Sequence, residues 1–151
     1  MSDRPTLIPH IVVSNAAAAI DFYKAAFGAV ELARHADPNS NKLMHAALQI
    51  NGGTIMLNDD FSSMMNEKSQ TAEALGGCPI TIHLQVEDAE DAWVKALAAG
   101  AKVKFPLADQ FWGDRYGQLR DPFGIYWSIG QTIAKPTPEE IAEGARTAFA
   151  H

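Results

Sequence analysis

The sequence predicts an α+β fold made of two strand–helix–three-strand modules in tandem, and three observations support this prediction. First, one pattern occurs twice: an apolar run from His10 leads into an Ala-rich segment ending at Gly28, and the pattern returns from His83 to Gly100. Second, each copy changes from the alternating period of a strand to the longer period of a helix. Third, a half of about 70 residues would bury too little surface to be stable alone. The two modules are therefore expected to share one core.

Module one covers about residues 6–58. Residues 7–13 predict the first strand, and the side-chain oxygen of Ser14 or Asn15 can accept a hydrogen bond from the first turn of the following helix. Gly28 suits the left-handed position that ends many helices. The expected apolar face of this helix consists of Ile20, Tyr23 and Phe27. Three strands should follow at 30–35, 43–50 and 54–58, with an Asn-Gly-Gly turn joining the last two.

Module two covers about residues 79–133 and repeats this order. Its first strand is predicted at 80–86, Asp88 is the expected helix cap, and Gly100 is the expected helix end. The sequence Asp-Pro-Phe-Gly at 121–124 is favourable for a turn. The remaining strands are predicted at 101–105, 116–120 and 125–130.

Two segments lie outside the modules. Residues 59–78 are polar and small without a clear period, which predicts a flexible connector or lid. A Pro-rich stretch precedes a helical segment at about 138–150, which should pack on the outside of the molecule or on a partner chain. Residues 1–151 are thus interpreted as a single domain.

Composition and charge argue against several functions. A net charge of −6 without a cluster of Lys and Arg disfavours nucleic acids and membranes as partners. No apolar run approaches the roughly 20 residues of a membrane span, and the N-terminus lacks the pattern of a signal peptide. Cys78 is the single cysteine, so no internal disulfide can form, which fits a reducing compartment. We therefore expect a cytoplasmic protein.

One side of two predicted strands is polar but uncharged. Thr81, His83 and Gln85 alternate with apolar residues in the first strand of module two. Tyr126 and Ser128 do the same in its last strand. Side chains alternate between the faces of a strand, so these groups should share the face that the helices leave uncovered. That face is either exposed to solvent or lines a pocket, and uncharged hydrogen-bonding groups among aromatic residues are typical of ligand pockets.

Several motifs resemble those of a known family. The helix end Phe-Tyr-Lys-x-x-Phe-Gly and, more specifically, Phe-Trp-Gly-Asp-Arg-Tyr-Gly at 111–117 followed by Asp-Pro-Phe-Gly resemble the vicinal oxygen chelate superfamily. This superfamily includes glyoxalase I, extradiol dioxygenases, and fosfomycin and bleomycin resistance proteins, and the resemblance is to its PhnB-like branch. It covers about residues 6–133. It implies two βαβββ modules that form a curved mixed sheet around a cavity, and a homodimer.

The resemblance also indicates where a metal would be expected. Metal-using members place His or Glu on the first and last strands of each module, which corresponds here to Ile8, Met56, Thr81 and Ser128. None of these side chains is a usual ligand of a divalent metal. We therefore predict no metal and no other cofactor. A divalent metal could bind only in a shifted site, if His10 and His83, two positions further along, were joined by a third ligand.

His10 and His83 occupy equivalent places in the two modules and are the candidate catalytic residues, because imidazole can transfer protons near neutral pH. Alternatively, they are hydrogen-bonded core residues. The candidate ligand-binding residues are Asn58, Thr81, Gln85, Trp112, Arg115, Tyr116 and Ser128.

The motif at 111–117 has two interpretations. In the functional one, Trp112 and Tyr116 stack against a ligand, and Arg115 binds an anionic group through its planar guanidinium. In the structural one, Trp112 closes the end of the sheet, while Asp114 and Arg115 pair with each other or with the backbone.

Two functions follow from these candidates. The first is an enzyme that performs proton transfer, isomerisation or group transfer on a small organic molecule. The second is a protein that sequesters a drug-like or aromatic compound without changing it, as the resemblance to bleomycin resistance proteins implies. Both require a small-molecule ligand, and only the first requires a catalytic pair.

Overall fold

The computed structural model describes residues 5–150 and shows two four-stranded mixed sheets, each packed on a helix. Module one contains β1 (His10–Val13), α1 (Ala16–Phe27), β2 (Val30–Ala36), β3 (Leu43–Ile50) and β4 (Gly53–Asp59). The connector holds a 3-10 turn (Ser62–Met65) and the short helix α2 (Ala72–Leu75). Module two contains β5 (Thr81–Gln85), α3 (Ala89–Ala99), β6 (Lys102–Asp109), β7 (Asp114–Arg120) and β8 (Tyr126–Thr132), and α4 (Pro138–Ala148) follows.

Both sheets have the same topology. Sheet A has the strand order β1-β4-β3-β2, and sheet B has the order β5-β8-β7-β6. The first strand of each module runs parallel to the last, and the other pairs are antiparallel. The predicted tandem βαβββ arrangement is therefore confirmed. Within residues 5–150 the strands form two hydrogen-bonded sheets and not one continuous sheet.

The edge strands β1 and β5 nevertheless lie side by side. One depression of about 300 Å³ is lined by residues 10–12 on one side and residues 77–80 on the other. A second, of about 250 Å³, is lined by Leu7 and Pro9 together with residues 82–84. The two edges therefore run in opposite directions along a seam between the sheets.

The modules share one core on the helical side of this seam. Helix α1 packs against α3, and the ring centroid of Phe27 on α1 lies 4.6 Å from that of Trp127 on β8. Ile20 and Tyr23, predicted to lie on the apolar face of α1, are fully buried. Burying side chains of this size against the other module contributes about 1.5–3 kcal/mol each, so neither half is expected to be stable alone.

Helix α1 begins and ends at the predicted residues. The side chain of Asn15 accepts a hydrogen bond from the backbone N–H of Ala18 (3.0 Å), and Gly28 adopts a left-handed conformation (φ +66°) after the last turn. The predicted cap of α3 is also confirmed, since Asp88 accepts from the N–H of Asp91 at 3.1 Å. Local capping chemistry therefore fixes how each helix leaves its strand.

Asp121 of the predicted turn connects the two modules. Its buried carboxylate accepts hydrogen bonds from the Tyr23 hydroxyl of α1 (2.6 Å) and from Trp127 Nε1 (2.9 Å). It also accepts the backbone N–H groups of Phe123 (2.8 Å) and Ile125 (3.0 Å). Burial raises the pKa of Asp121, although its hydrogen bonds oppose that shift. Burial and the nearby carboxylate raise the pKa of Tyr23 well above its ordinary value, so its hydroxyl stays a donor.

Three sequence expectations differ from the structure. The first strand begins at His10 and not at residue 7, and Leu7 is largely exposed. Strand β6 continues to Asp109, beyond the predicted end at 105. The connector at 59–78, predicted without regular structure, contains the helical turn α2, where Thr71 and Ala72 are buried and Ala72 packs closely on Gly124 of the turn.

The C-terminal helix lies where predicted and covers little of the molecule. None of its residues is buried, and its Gly144 packs closely on the side chain of Phe111. A Thr137–Glu140 capping box starts the helix. Among residues 5–150, no helix is long and apolar enough to cross a membrane.

Candidate functional site

The register of sheet B places its polar side chains in three rows on the face that α1 and α3 do not cover, which we call the open face of sheet B. Directly paired residues point to the same side of a sheet. The first row, next to the 121–124 turn, contains Lys102, Arg120, Tyr126 and Thr81. The second contains Phe105, Gln118, Ser128 and His83. The third contains Ala108, Tyr116, Gly130 and Gln85.

His83 is held in one orientation at the centre of the open face of sheet B. Its Nδ1 lies 2.7 Å from the Ser128 hydroxyl, and its Nε2 lies 2.8 Å from Oε1 of Gln85. The Gln85 amide nitrogen in turn donates to the Thr132 hydroxyl at 3.0 Å. A neutral imidazole fits this arrangement, since Ser128 can donate to Nδ1 while Nε2 donates to Gln85.

Gly130 provides the space for this imidazole. A Cβ atom at position 130 would lie 2.8 Å from Cε1 of His83 and 3.2 Å from Oε1 of Gln85. Any side chain at this position would therefore displace the ring from its hydrogen bonds. The place of His83 thus depends on a glycine in the neighbouring strand.

Aromatic side chains continue from His83 toward the end of the sheet. The ring of Tyr116 stacks near that of His83 (centroids 5.9 Å apart, 22° between planes), and Trp112 meets Tyr116 edge to face at 5.6 Å. Trp112 Nε1 donates to Asp114 at 3.2 Å. The Tyr116 hydroxyl accepts from the amide nitrogen of Gln118 at 2.9 Å. Apolar ring surfaces and fixed hydrogen-bonding groups therefore lie side by side.

The equivalent histidine of module one is in a separate network. His10 donates from Nε2 to Oδ1 of Asn58 (2.6 Å), and the Asn58 amide nitrogen donates to the Asp59 carbonyl (2.7 Å). Both side chains lie on the uncovered face of sheet A, opposite to the buried Ile11 and Leu57. The hydrogen-bond partners of His10 and His83 do not overlap, so a joint catalytic pair is not visible in their hydrogen bonds.

Arg115 does not join the other candidate residues. It precedes Tyr116 in β7 and points to the helical side, where its guanidinium donates to Asp109 (2.7 Å) and to Glu90 of α3 (3.4 Å). The hydrogen bond to Asp109 raises the pKa of Arg115. The Arg115 side chain therefore ties β7 to β6 and α3, and it is already engaged by carboxylates.

The structure brings five of the predicted residues together on the open face of sheet B and adds others. The predicted group is His83, Gln85, Ser128, Tyr116 and Trp112, with Thr81 in the adjoining row. Sequence reasoning missed Gln118 and Lys104. Gln118 could have been found from its alternation with Tyr116. Lys104 could not, because irregular pairing of β6 with β7 between Val103 and Phe105 sets its direction.

The donor set does not fit the metal site that the resemblance implies. The side chains at the corresponding places are Ile8, Met56, Thr81 and Ser128. Within residues 5–150, no three His, Cys, Asp or Glu side chains converge so that they could hold a metal ion. His83 and His10 each have hydroxyl or amide partners and no carboxylate partner.

The uncovered face of sheet A offers a second hollow. A depression of about 400 Å³ is lined mainly by apolar groups, and its polar lining residues are His45, Gln49 and Thr54. Large apolar side chains remain exposed near it, including Leu32, which lines it, and Val30, which pairs with Gln49. This face is therefore suited to an apolar ligand body or to contact with another chain.

Comparison with known proteins establishes the family. Residues 7–129 match the family model of the Glyoxalase/Bleomycin resistance protein/Dioxygenase superfamily. The chain belongs to this superfamily.

Individual relatives agree in fold. The uncharacterised protein Rv0887c of Mycobacterium tuberculosis is 55% identical over 91% of this chain and 80% of its own length. The structure of TioX from Micromonospora sp. ML1 matches with a TM-score of 0.65 and 25% identity, covering 85% of this chain and 99% of TioX. The structure of the Arabidopsis thaliana At5g48480 product matches with a TM-score of 0.63 and 29% identity, covering 83% and 97% of the two chains.

Proposed function

We propose that this protein binds a small organic molecule on the open face of sheet B, with His83 at the centre of the site. The observation that carries the proposal is the fixed imidazole of His83, bonded on both nitrogens and stacked beside Tyr116. Aromatic surface next to oriented, uncharged polar groups is the usual composition of a ligand site. Trp112 extends the stacking surface, and Gln85 and Thr81 supply exposed polar groups at the site.

Binding without chemical change is the form of this function that the hydrogen bonds favour. Both ring nitrogens of His83 are already engaged within the protein, and Ser128 is only 1% exposed, so its hydroxyl cannot reach a ligand. Proton transfer by His83 would require Gln85 to swing away from Nε2 first. An enzyme performing proton transfer or isomerisation is the second candidate, because Gln85, which covers Nε2 of His83, is exposed.

We further propose a homodimer of the PhnB-like branch, in the cytoplasm. The exposed apolar side chains of sheet A and the unburied helix α4 are surfaces that a second copy of the chain would cover. The branch assignment is supported by the motif at 111–117 followed by Asp-Pro-Phe-Gly. The single Cys78, without an internal disulfide partner, fits a reducing compartment.

The protein is expected to work without a bound metal. Elemental analysis of purified protein should find less than about one tenth of an equivalent of Zn, Ni, Fe or Mn, and adding these ions should leave the melting temperature unchanged, because three converging ligands are needed to hold them. One equivalent of tightly bound metal, lost in a His83→Ala variant, would overturn this expectation. His35→Ala is the matched control, since His35 stacks on His45 in β3, far along sheet A.

A thermal-shift screen of aromatic and drug-like compounds should find ligands that raise the melting temperature by several degrees, because binding to the native state alone stabilises it by mass action. Chromatography of the incubated mixtures should recover each ligand unchanged. Formation of a product that depends on His83 would replace the binding protein with the enzyme. A complete lack of ligands, or ligands whose effect survives in a His83→Ala, Tyr116→Ala double variant, would contradict the proposed site.

A further inference from the structure

We propose that Lys102 and Arg120, with Lys104 beside them, form an anion-binding site at the end of the open face of sheet B. The ligand is accordingly an organic molecule that carries an oxyanion, such as a carboxylate. This inference rests on the proposed function, since it assigns the chemical class of the molecule bound beside His83.

The first observation is the direct pairing of two cations. Lys102 of β6 and Arg120 of β7 are paired in the antiparallel register, which brings their Cβ atoms to about 4.5–5.5 Å. Like charges placed directly opposite each other destabilise a sheet. The chain has 18 acidic and 12 basic residues, so a pair of opposite charges could have occupied these two positions.

The second observation is that no acidic group compensates this pair. Among residues 5–150, neither Lys102 nor Arg120 takes part in an ion pair, and the same holds for Lys104 beside them. Asp121 follows Arg120 directly, but its carboxylate is turned into the core and occupied by Tyr23 and Trp127. Both cationic side chains are exposed and are therefore accessible to an anionic ligand.

A third cation connects this end of the sheet with the rest of the site. The Lys104 ammonium lies 4.2 Å above the centre of the Tyr126 ring and donates to Oε1 of Gln118 at 3.3 Å. Gln118 in turn donates to the Tyr116 hydroxyl. The contacts hold a positive charge between the first row and the row of His83.

The spacing suits one small molecule. Adjacent rows are two residues apart along a strand, or about 7 Å. Arg120 also lies two strands across from His83, or about 10 Å, and its long side chain covers part of this distance. An aromatic body stacked near His83 and Tyr116 can therefore place a carboxylate among the cations of the first row. Lys102 and Arg120 also border a depression of about 330 Å³, which Gly100, Asp121 and Pro122 line with them. The planar guanidinium of Arg120 can bind a carboxylate through two parallel hydrogen bonds.

The test compares two probes with the same ring and different charge. 2-Naphthoate and its neutral analogue 2-naphthamide are titrated into the ¹⁵N-labelled protein, and the dissociation constants are obtained from the backbone amide shifts of β5 and β8. The wild-type protein should bind 2-naphthoate about 10-fold or more tightly than the amide, because only the carboxylate can form an ion pair with the cations and accept two parallel hydrogen bonds from Arg120. The Lys102→Gln, Arg120→Gln double variant should lose this preference and keep its affinity for 2-naphthamide.

The matched control is the Lys68→Gln, Lys135→Gln double variant, which removes the same charge from two exposed lysines elsewhere. It should keep the preference for the carboxylate. Equal affinity for the two probes in the wild type, or a preference that survives in the Lys102→Gln, Arg120→Gln variant, would overturn the anion site and leave the proposed function standing. If neither probe shifts the backbone amide signals of β5 and β8, both the anion site and the proposed function would be contradicted.

Stability provides an independent readout. The Lys102→Gln variant removes one charge of a like-charged cross-strand pair. Its melting temperature should therefore equal that of the wild type or exceed it by about 1–2 °C. A decrease of several degrees would show that Lys102 stabilises the fold, and the inference would then be wrong.

Discussion

Asp121→Ala is expected to lower the free energy of unfolding by about 3–4 kcal/mol. The substitution removes the acceptor of four hydrogen bonds, two from the side chains of Tyr23 and Trp127 and two from the backbone of the turn. Donors left unpaired in a buried place cost about 1–3 kcal/mol each, and part of that cost is relieved when the turn relaxes toward water. Urea unfolding followed by tryptophan fluorescence and circular dichroism measures the difference.

Two further variants separate the contributions to this effect. Tyr23→Phe removes one hydrogen bond and should cost about 1 kcal/mol. Asp121→Asn keeps one oxygen for the backbone N–H groups but turns an amide nitrogen toward Trp127 Nε1. Its loss of unfolding free energy should therefore lie between those of Tyr23→Phe and Asp121→Ala. A loss below about 1 kcal/mol for Asp121→Ala would contradict the role of this carboxylate in joining the modules.

Gly130→Ala is expected to weaken ligand binding at least about 10-fold, although it leaves every hydrogen-bonding group of the site in the sequence. The new methyl group would lie 2.8 Å from the His83 ring, so the ring must leave Ser128 or Gln85. Isothermal titration with the compounds from the thermal-shift screen gives the affinity. Overpacking of this kind also costs about 1–3 kcal/mol of stability, which leaves a folded protein if the wild type has ordinary stability.

Gly53→Ala is the control for this substitution. Gly53 lies at the start of β4, and a Cβ atom there would meet only the Ile50 carbonyl at 3.5 Å, an ordinary contact. Its ligand affinity should equal that of the wild type. Unchanged affinity in Gly130→Ala, with the protein shown to be folded, would mean that the orientation of His83 does not matter for binding.

The sequence predicts the architecture well because periodicity and capping are local properties. Strand β3 lies at the predicted residues 43–50, and Asn15 and Asp88 cap their helices as expected. The connector was harder to predict. Its composition is polar, and no sequence pattern distinguishes Ala72, the small residue that packs under the turn of module two. That contact depends on the three-dimensional placement of the second module, which no local pattern contains.

The candidate site shows a different kind of limit. Arg115 and Tyr116 are neighbours in one strand, so the alternation of side chains already places them on opposite faces, and the expectation that both contact one ligand neglected this rule. The anion-binding role expected of Arg115 is proposed here for Lys102 and Arg120. Their pairing follows from the irregular register of β6, which the sequence does not reveal.

The family motifs turn out to contain mainly residues that build the fold. A Cβ atom at Gly117 would lie 2.6 Å from the Trp93 ring, and one at Gly113 would collide with the Ala134 carbonyl, so both glycines are required for packing. Asp121 holds the turn and the module contact. Only Trp112 and Tyr116 of these motifs reach the site. In this chain the motifs therefore specify mainly the architecture.

A crystal structure with a compound from the thermal-shift screen tests the central claim most directly. The proposed site predicts density in contact with the rings of His83 and Tyr116, with any carboxylate directed toward Arg120. Density in the groove between α1 and α3, lined by Lys24, Asp88 and Lys95, would contradict the site. A metal ion coordinated by His83 would contradict the account of its hydrogen bonds.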